Sequence, residues 1–307
     1  MSKKITLLID GNNTLHRTYW VANNTGRQLI NSKGVYVGST FTFLKTVKSY
    51  VDQFNADDVY IAWDKKLTAG AVNFRNTLME GTYKAGRDPV RNKAVYDDAN
   101  EIVKITKALG IKNIFPGELE ADDVISWLSE NIEGKKVIVS VDNDFAQLVN
   151  ESISLYSPIK KLLVDVSNFE EYYGLTPKEY LYYKCIVGDK SDNIPGIEGI
   201  GKVRGQKLAK QYVANDPKAK ELCNPIVTLN TPLVSLAYGF ATHPNEIKIY
   251  EEQLYNAKDL KADFNSFQDY CTELEFVSIL DKMSNWQASF NKISNTSILT
   301  EYFKAFE

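Results

Sequence analysis

Four short stretches of the chain are apolar on nearly every residue rather than on alternate ones. They are Ile5-Thr6-Leu7-Leu8-Ile9, Val59-Tyr60-Ile61-Ala62-Trp63, Val137-Ile138-Val139-Ser140-Val141 and, less cleanly, Ile153-Ser154-Leu155-Tyr156. Strands buried on both faces read this way, which points to a parallel sheet covered on each side by helices. Helical periods lie between them. Phe41, Leu44, Val47, Lys48 and Val51 recur at helical spacing, as do Val95, Ala99, Ile102, Val103 and Leu109 in a stretch that stops before Gly110. A third helix opens at Glu120-Ala121-Asp122-Asp123, with acids in its first turn, and continues through Val124, Ile125 and Leu128. The order β-α-β-α-β predicts a doubly wound α/β domain with a mostly parallel sheet.

After about residue 170 the strand signal fades and the chain reads mainly helical. Pro177 begins one segment, Gly188 to Gly201 is a loop rich in Gly, Pro, Asp and Asn, and Val203 to Val213 is helical. The stretch from Asn215 to Asn245, with Pro217, Pro225, Pro232 and Pro244, gives few readable signals. The expected organisation is a core over residues 1–170 and a helical region over 171–307. At 307 residues, 44% hydrophobic and 24% charged, the chain is an ordinary globular one with ample material for a core. No run approaches the roughly 18 apolar residues of a membrane span. Only five apolar or small residues separate Lys4 from Asp10, too few for a secretory signal, so a cytoplasmic protein is expected. Cys185, Cys223 and Cys271 suggest neither a disulfide framework nor a thiolate metal site, and His16 and His243 offer little for histidine chemistry.

The carboxylates change the picture. Asp10 follows the first strand, Asp64 the second, and Asp142 and Asp144 the third, at the strand ends where open α/β sheets bind ligands. Glu120, Asp122 and Asp123 begin a helix reached from the segment Ile111 to Phe115 and can face the same edge; Asp189 and Asp192 lie in the later glycine-rich loop. A single Asp after a strand is most often a turn former or helix cap. The same placement after three strands, with two acidic loops besides, favours a shared site. Like charges at about 4 Å cost about 4 kcal/mol per pair at an effective dielectric near 20, so such a cluster needs cations. Oxygen-only ligands favour Mg²⁺ or Mn²⁺, which commonly act on phosphate groups.

Net charge is −3, which at first argues against a nucleic-acid partner. With the nine carboxylates set aside, however, 36 Lys and Arg face the remaining 30 Asp and Glu, so a basic surface can surround an acidic centre. Residues 65 to 93 hold Lys65, Lys66, Arg75, Lys84, Arg87, Arg91 and Lys93 against only Glu80 and Asp88, with Phe74 and Tyr83 interleaved. That mixture suits a phosphate backbone and stacked bases, although a solvated helix face reads similarly. Gly196-Ile197-Glu198-Gly199-Ile200-Gly201-Lys202, followed by Arg204, Lys207 and Lys210, lets backbone N–H groups approach a phosphate at a helix start. It resembles the hairpin of a helix-hairpin-helix module. A dinucleotide fingerprint is excluded, because no first strand precedes the glycines.

Together these residues resemble the 5′-nuclease or flap-endonuclease family in its phage and bacterial branch, which includes stand-alone phage 5′-3′ exonucleases and the N-terminal nuclease domain of bacterial DNA polymerase I. The matching stretches run in order: Leu8-Ile9-Asp10-Gly11-Asn12, Ala62-Trp63-Asp64, Phe74-Arg75, Tyr83-Lys84-Ala85-Gly86-Arg87, Glu120-Ala121-Asp122-Asp123, Asp142-Asn143-Asp144 and Gly188-Asp189-Lys190-Ser191-Asp192-Asn193-Ile194-Pro195-Gly196-Ile197-Glu198-Gly199-Ile200-Gly201. The resemblance implies a PIN-like nuclease core, a helical arch at about residues 65–95, and a helix-3-turn-helix motif at about 180–212 that binds duplex and holds a K⁺ ion. Carried over by position, Asp10, Asp64, Glu120, Asp122 and Asp123 would form one Mg²⁺ group and Asp142, Asp144, Asp189 and Asp192 a second, with Mn²⁺ able to substitute. Lys84 and Arg87 would steer the scissile phosphate, and Arg75 and Tyr83 would support or stack there. Gly199, Gly201, Lys202, Arg204 and Lys207 would hold DNA.

The implied function is structure-specific 5′-3′ exonuclease and 5′-flap endonuclease action in replication or repair, extending to RNA primers in RNA–DNA hybrids. The implied partners are branched or 5′-ended DNA and replication proteins; the implied state is a monomer, in the host cytoplasm if phage-encoded. Two other readings stand beside it: a DNA-binding protein with vestigial catalysis, against which the complete acidic set argues, and a PIN-type ribonuclease, for which the Gly199-Ile200-Gly201 hairpin has no purpose. Asp88, directly after Arg87, departs from the family's pattern.

Overall fold

The computed structural model describes residues 4–24, 28–64, 73–85, 95 and 98–293. Arg87, with Lys65, Lys66, Asp88, Arg91 and Lys93 of the expected arch, lies outside the described residues.

The continuous apolar runs do form a buried sheet. β1 (Ile5–Asp10) lies centrally, with β2 (Asp58–Ala62) and β3 (Lys112–Ile114) on one side of it and β4 (Lys135–Val139), β5 (Ile153–Ser157) and β6 (Leu162–Val164) on the other. The first five strands are parallel, and β6 returns antiparallel to β5. The chain therefore winds one way through β2 and β3, then crosses back to start β4 on the far side of β1. The reversal leaves a crevice at the carboxyl ends of β1 and β4, where doubly wound sheets bind ligands.

Strand residues alternate between two cores. Leu7, Ile9, Val59, Ile61, Val137 and Val139 face a layer to which α1 (Gly11–Asn24) and α2 (Gly38–Phe54) contribute Leu15, Phe43 and Val47. α3 (Phe74–Leu78) is a short turn after β2, and α4 (Ala99–Ala108) adds Ile102 and Ile105 to the same layer. On the other face, Leu8, Tyr60, Ala62 and Ile138 pack against Val124, Ile125 and Leu128 of α5 (Ala121–Asn131). That second core continues without a break through α6 (Phe169–Tyr173), α7 (Pro177–Val187) and α8 (Lys202–Val213).

The region that was hard to read in sequence is three helices, α9 (Pro217–Val234), α10 (Leu236–Thr242) and α11 (Pro244–Asn256). Pro217 and Pro244 occupy first-turn positions, where the fixed φ and missing N–H cost nothing. Pro225 and Pro232 sit inside α9, where each removes a ladder hydrogen bond, and this interrupts the usual helix signature. The last three helices, α12 (Phe264–Glu273), α13 (Val277–Leu280) and α14 (Met283–Phe290), return to the first face and bury Phe267, Trp286 and Phe290 there. Among the described residues no helix is long and apolar enough to cross a membrane.

One ion pair is sealed into the sheet away from the crevice. Lys112 Nζ on β3 donates to Asp58 Oδ1 on β2 at 2.7 Å, and both side chains are buried. Burial outweighs the lysine and leaves the Asp58 carboxyl raised above its ordinary range. Removing one partner of such a pair typically costs about 3–5 kcal/mol. Lys112→Met should therefore lower the urea unfolding free energy by about 3 kcal/mol at pH 8, and Asp58→Asn in the same background should restore most of it. A raised carboxyl favours folding when protonated, so the loss should shrink as pH falls towards 5.

Candidate active site

β1 delivers Asp10 as its last residue, and the next residue must be very small. A Cβ on Gly11 would sit 2.7 Å from the Trp63 ring and 2.8 Å from the Ala62 carbonyl, so the first turn of α1 can lie against β2 only with glycine there. That turn ties the edge together. Asn13 N–H donates to Asp10 Oδ1 at 2.9 Å, and Asn12 Oδ1 accepts the Asp64 N–H at 2.9 Å. Asp64 in turn accepts the Ala121 N–H at 2.8 Å, which fastens the end of β2 to the start of α5. After β4, Ser140 Oγ donates to Asp10 Oδ2 at 2.9 Å and accepts the Asp142 N–H at 3.1 Å. Asp142 Oδ1 caps the following short 3₁₀ helix by accepting the Asp144 N–H at 2.8 Å.

The electrostatics show which carboxylates share a space. Burial, with Asp64 and Asp142 alongside, pushes the Asp10 carboxyl up to about 7. Burial again, with Asp142 and Asp10 as neighbours, raises Asp122 well above the ordinary carboxylate range. Asp144 is pushed up to about 6 by burial and by Asp142, against the pull of Lys184. The structure thus brings Asp10, Asp64, Asp122, Asp142 and Asp144 to one edge.

Positive groups hold the remaining acids. Lys184 Nζ, on α7, bridges Asp144 Oδ1 at 2.7 Å and Asp189 Oδ2 at 2.5 Å. The lysine and the Ser191 hydroxyl hold Asp189 down to about 2 although burial opposes them. Glu120 is also held down to about 2 against burial, because Lys84 Nζ donates to Oε1 at 2.6 Å while Arg75 Nη1 and the Tyr83 hydroxyl reach Oε2 at 3.1 and 3.0 Å. The same Tyr83 oxygen lies 3.4 Å from Asp192 Oδ2.

Three of these residues are placed in the interior. Arg75 is 2% exposed; its guanidinium forks onto both Asp123 oxygens at 2.7 Å, and its Nε donates to the Leu233 carbonyl at 3.0 Å. It joins α3 to the start of α5 and to α9 and is held inside the protein. Asp123 is fully buried, and besides Arg75 it accepts the Glu120 N–H at 3.0 Å in a capping box that starts α5. It is committed to the interior rather than to a metal. Tyr83, 9% exposed, is a support and not a stacking platform. Sequence reading also missed Lys184, Ser140 and Asn13. Lys184 had a signal, a lone charge in the otherwise apolar and aromatic run from Tyr180 to Val187 and within reach of Asp189.

The glycine loop joins the site through Asp189. A Cβ on Gly196 would lie 2.0 Å from the Val187 carbonyl, so the loop folds back on the end of α7 only with glycine at that position. Gly201 then caps α8, and Gly199, Gly201, Lys202, Arg204 and Lys207 are all exposed on one turn and the helix start beyond it.

As they stand, no three His, Cys, Asp or Glu side chains among the described residues are placed to hold a metal ion together. The donor set nevertheless fits hard divalent ions. It consists of oxygens alone, and buried or half-buried carboxylates that raise one another's pKa are short of positive charge. Arg75 has a separable role: Arg75→Ala should cost about 3–5 kcal/mol in urea unfolding by stranding Asp123, and Arg75→Lys, lacking the fork, should recover only part of it.

Comparison with known proteins bears on the same residues. The model of the family described as 5′-3′ exonuclease, N-terminal resolvase-like domain, matches residues 5–174. The 5′-3′ exonuclease of Buchnera aphidicola subsp. Schizaphis graminum is 32% identical over 214 residues, covering 68% of this chain and 71% of that one. The thermostable DNA polymerase I of Thermus thermophilus is 32% identical over 209 residues, 67% of this chain but only 24% of the polymerase. In structure, the bacteriophage T5 flap endonuclease in a complex with DNA and metal ions superposes with a TM-score of 0.65 at 19% identity, covering 83% of this chain and all of that one, a likeness of PIN-like fold. With the family model spanning over half its length and the acidic edge in family order, the chain belongs to the 5′-3′ exonuclease family of nucleases.

Proposed function

We propose that the chain hydrolyses phosphodiester bonds near a 5′ end or at a 5′-flap junction in DNA, in a Mg²⁺-dependent reaction. The observation that carries this reading is the group of mutually repelling carboxylates, with Asp10 buried and Asp122 half-buried, at the reversal point of the sheet. Asp10, Asp64 and Asp122 would hold one ion, with Glu120 available to it once its lysine leaves, and Asp142, Asp144, Asp189 and Asp192 would contribute to a second. Held there, Mg²⁺ would neutralise the cluster and would supply Lewis-acid chemistry for phosphodiester hydrolysis; Mn²⁺ has the same ligand preference.

The chain's own residues do the rest. Lys84 reaches Glu120 from a left-handed backbone position, φ +55°, so its ammonium is already aimed at the edge where a phosphate would lie. A phosphate arriving there offers Lys84 a second anionic partner. Lys184 fixes Asp144 and Asp189 relative to each other and so joins the crevice to the glycine loop. The exposed Gly199–Gly201 turn, with Lys202, Arg204 and Lys207, would grip duplex through its phosphates, and its carbonyls are a candidate seat for K⁺. Backbone recognition of this kind admits the RNA strand of an RNA–DNA hybrid as well. We read residues 1–170 as the catalytic core and 171–307 as the duplex-holding part of a monomeric enzyme.

The test is cleavage of a labelled 5′-flap DNA with Mg²⁺ and with EDTA, beside a blunt duplex, a single strand and a matched RNA flap. Products at the junction that require Mg²⁺ are expected; junction binding with no product from any substrate contradicts the reading. Asp142→Asn should reduce the single-turnover cleavage rate by at least a hundredfold and leave duplex affinity in EDTA unchanged. Lys207→Ala should weaken duplex binding uniformly across sequences and lower the slope of log affinity against log salt by about 1.

A further inference from the structure

We infer that Ser140 is a positioning residue that sets both carboxylate groups of the site at once, an inference that rests on the metal-ion reading above. Its hydroxyl lies where the sheet reverses, at the end of β4 beside the end of β1, and is 1% exposed. A hydroxyl has one proton. The Asp142 N–H can only donate, so the Ser140 oxygen accepts there, at 3.1 Å, and its proton goes to Asp10 Oδ2 at 2.9 Å. Asp10 belongs to one expected ion and Asp142 to the crossing into the second group, so a single side chain links the two.

The consequences for each carboxylate differ. On Asp10, the Asn13 N–H takes one lone pair of Oδ1 and Ser140 takes one of Oδ2, which fixes the plane of the carboxylate. One lone pair on each oxygen remains for a cation, directed away from the protein donors. At Asp142, the bond to its N–H shapes the turn after β4, and Asp142 Oδ1 continues the chain by accepting the Asp144 N–H at 2.8 Å. Ser140 is itself held in register, its N–H donating to the Tyr156 carbonyl of β5 at 3.2 Å. The order Asp10, Ser140, Asp142, Asp144 is thus a continuous hydrogen-bonded line along the crevice. Groups that orient metal ligands from behind typically contribute 10- to 100-fold to metal affinity.

The experiment measures Mn²⁺ binding to the full-length protein without DNA, by the loss of the free-ion electron paramagnetic resonance signal, for wild type, Ser140→Ala and Ser140→Thr. Urea unfolding and duplex binding, both in EDTA, report on folding. The expected result is a Mn²⁺ dissociation constant about 10- to 100-fold weaker in Ser140→Ala, restored to within a few fold in Ser140→Thr, with duplex affinity in EDTA unchanged. Equal Mn²⁺ affinity in wild type and Ser140→Ala would overturn the role of Ser140 and leave the metal reading standing. Weakened binding that threonine does not restore and that follows a fall in unfolding stability would show a structural role and also overturn it. Wild-type protein that binds no Mn²⁺ would remove the metal reading and Ser140's role with it.

Discussion

Carboxylates that would be ionised in water stand side by side at low exposure where the sheet changes its direction of winding, and much of the molecule is arranged around their repulsion. Asp10 and Asp122 carry pKa values pushed upward by burial and by neighbouring acids. A protein interior tolerates such a group only when its charge is met by donors, counter-ions or a bound cation. Here hydrogen bonds from Asn13 and Ser140 meet part of it at Asp10, and Lys184 meets part of it at Asp144. At Asp122 the charge of Lys84 offsets only part of the burial and the neighbouring acids, and the site retains an appetite for cations that its oxygen donors direct towards hard ones.

Around this centre, the cations fall into two kinds. Arg75 is spent wholly on the interior: it joins α3 to the start of α5 and to the end of α9. Lys84 and Lys184 occupy the border, each pairing with acids that face the crevice. The segment from Thr82 to Lys84 also touches the glycine loop directly. Asn193 Nδ2 donates to the Thr82 carbonyl at 3.2 Å, and the Lys84 N–H donates to the Asp192 carbonyl at 3.3 Å. The Thr82–Lys84 segment, the acidic crevice and the glycine loop therefore share one network of contacts.

How much of this was legible in sequence follows from the range of each interaction. The strands were readable because both their faces are buried, so Leu7, Leu8 and Ile9 are all apolar. Asp10, Asp64 and Asp142 were readable because the strand ends of an open sheet converge by topology alone. The pairing of Arg75 with Asp123 was not legible: a basic residue in a basic stretch and an acid in an acidic motif look like surface chemistry until the fold brings them together across 48 positions. Ser140 was hidden inside a strand run, where its hydroxyl counted only as an interruption. The helices beyond residue 215 were obscured by Pro225 and Pro232, which their neighbours' packing accommodates and local propensity does not.

The account stands or falls on the carboxylate crevice as a divalent-ion site. The most direct test is the thermal unfolding midpoint of the protein alone, measured at fixed ionic strength across a Mg²⁺ series against EDTA. A ligand bound only by the folded state stabilises it by about 2.7 kcal/mol at a hundred times its dissociation constant. The account predicts a midpoint that rises by several degrees with Mg²⁺ in wild type and far less in Asp10→Asn. A wild-type midpoint that is the same in Mg²⁺ and EDTA would contradict it.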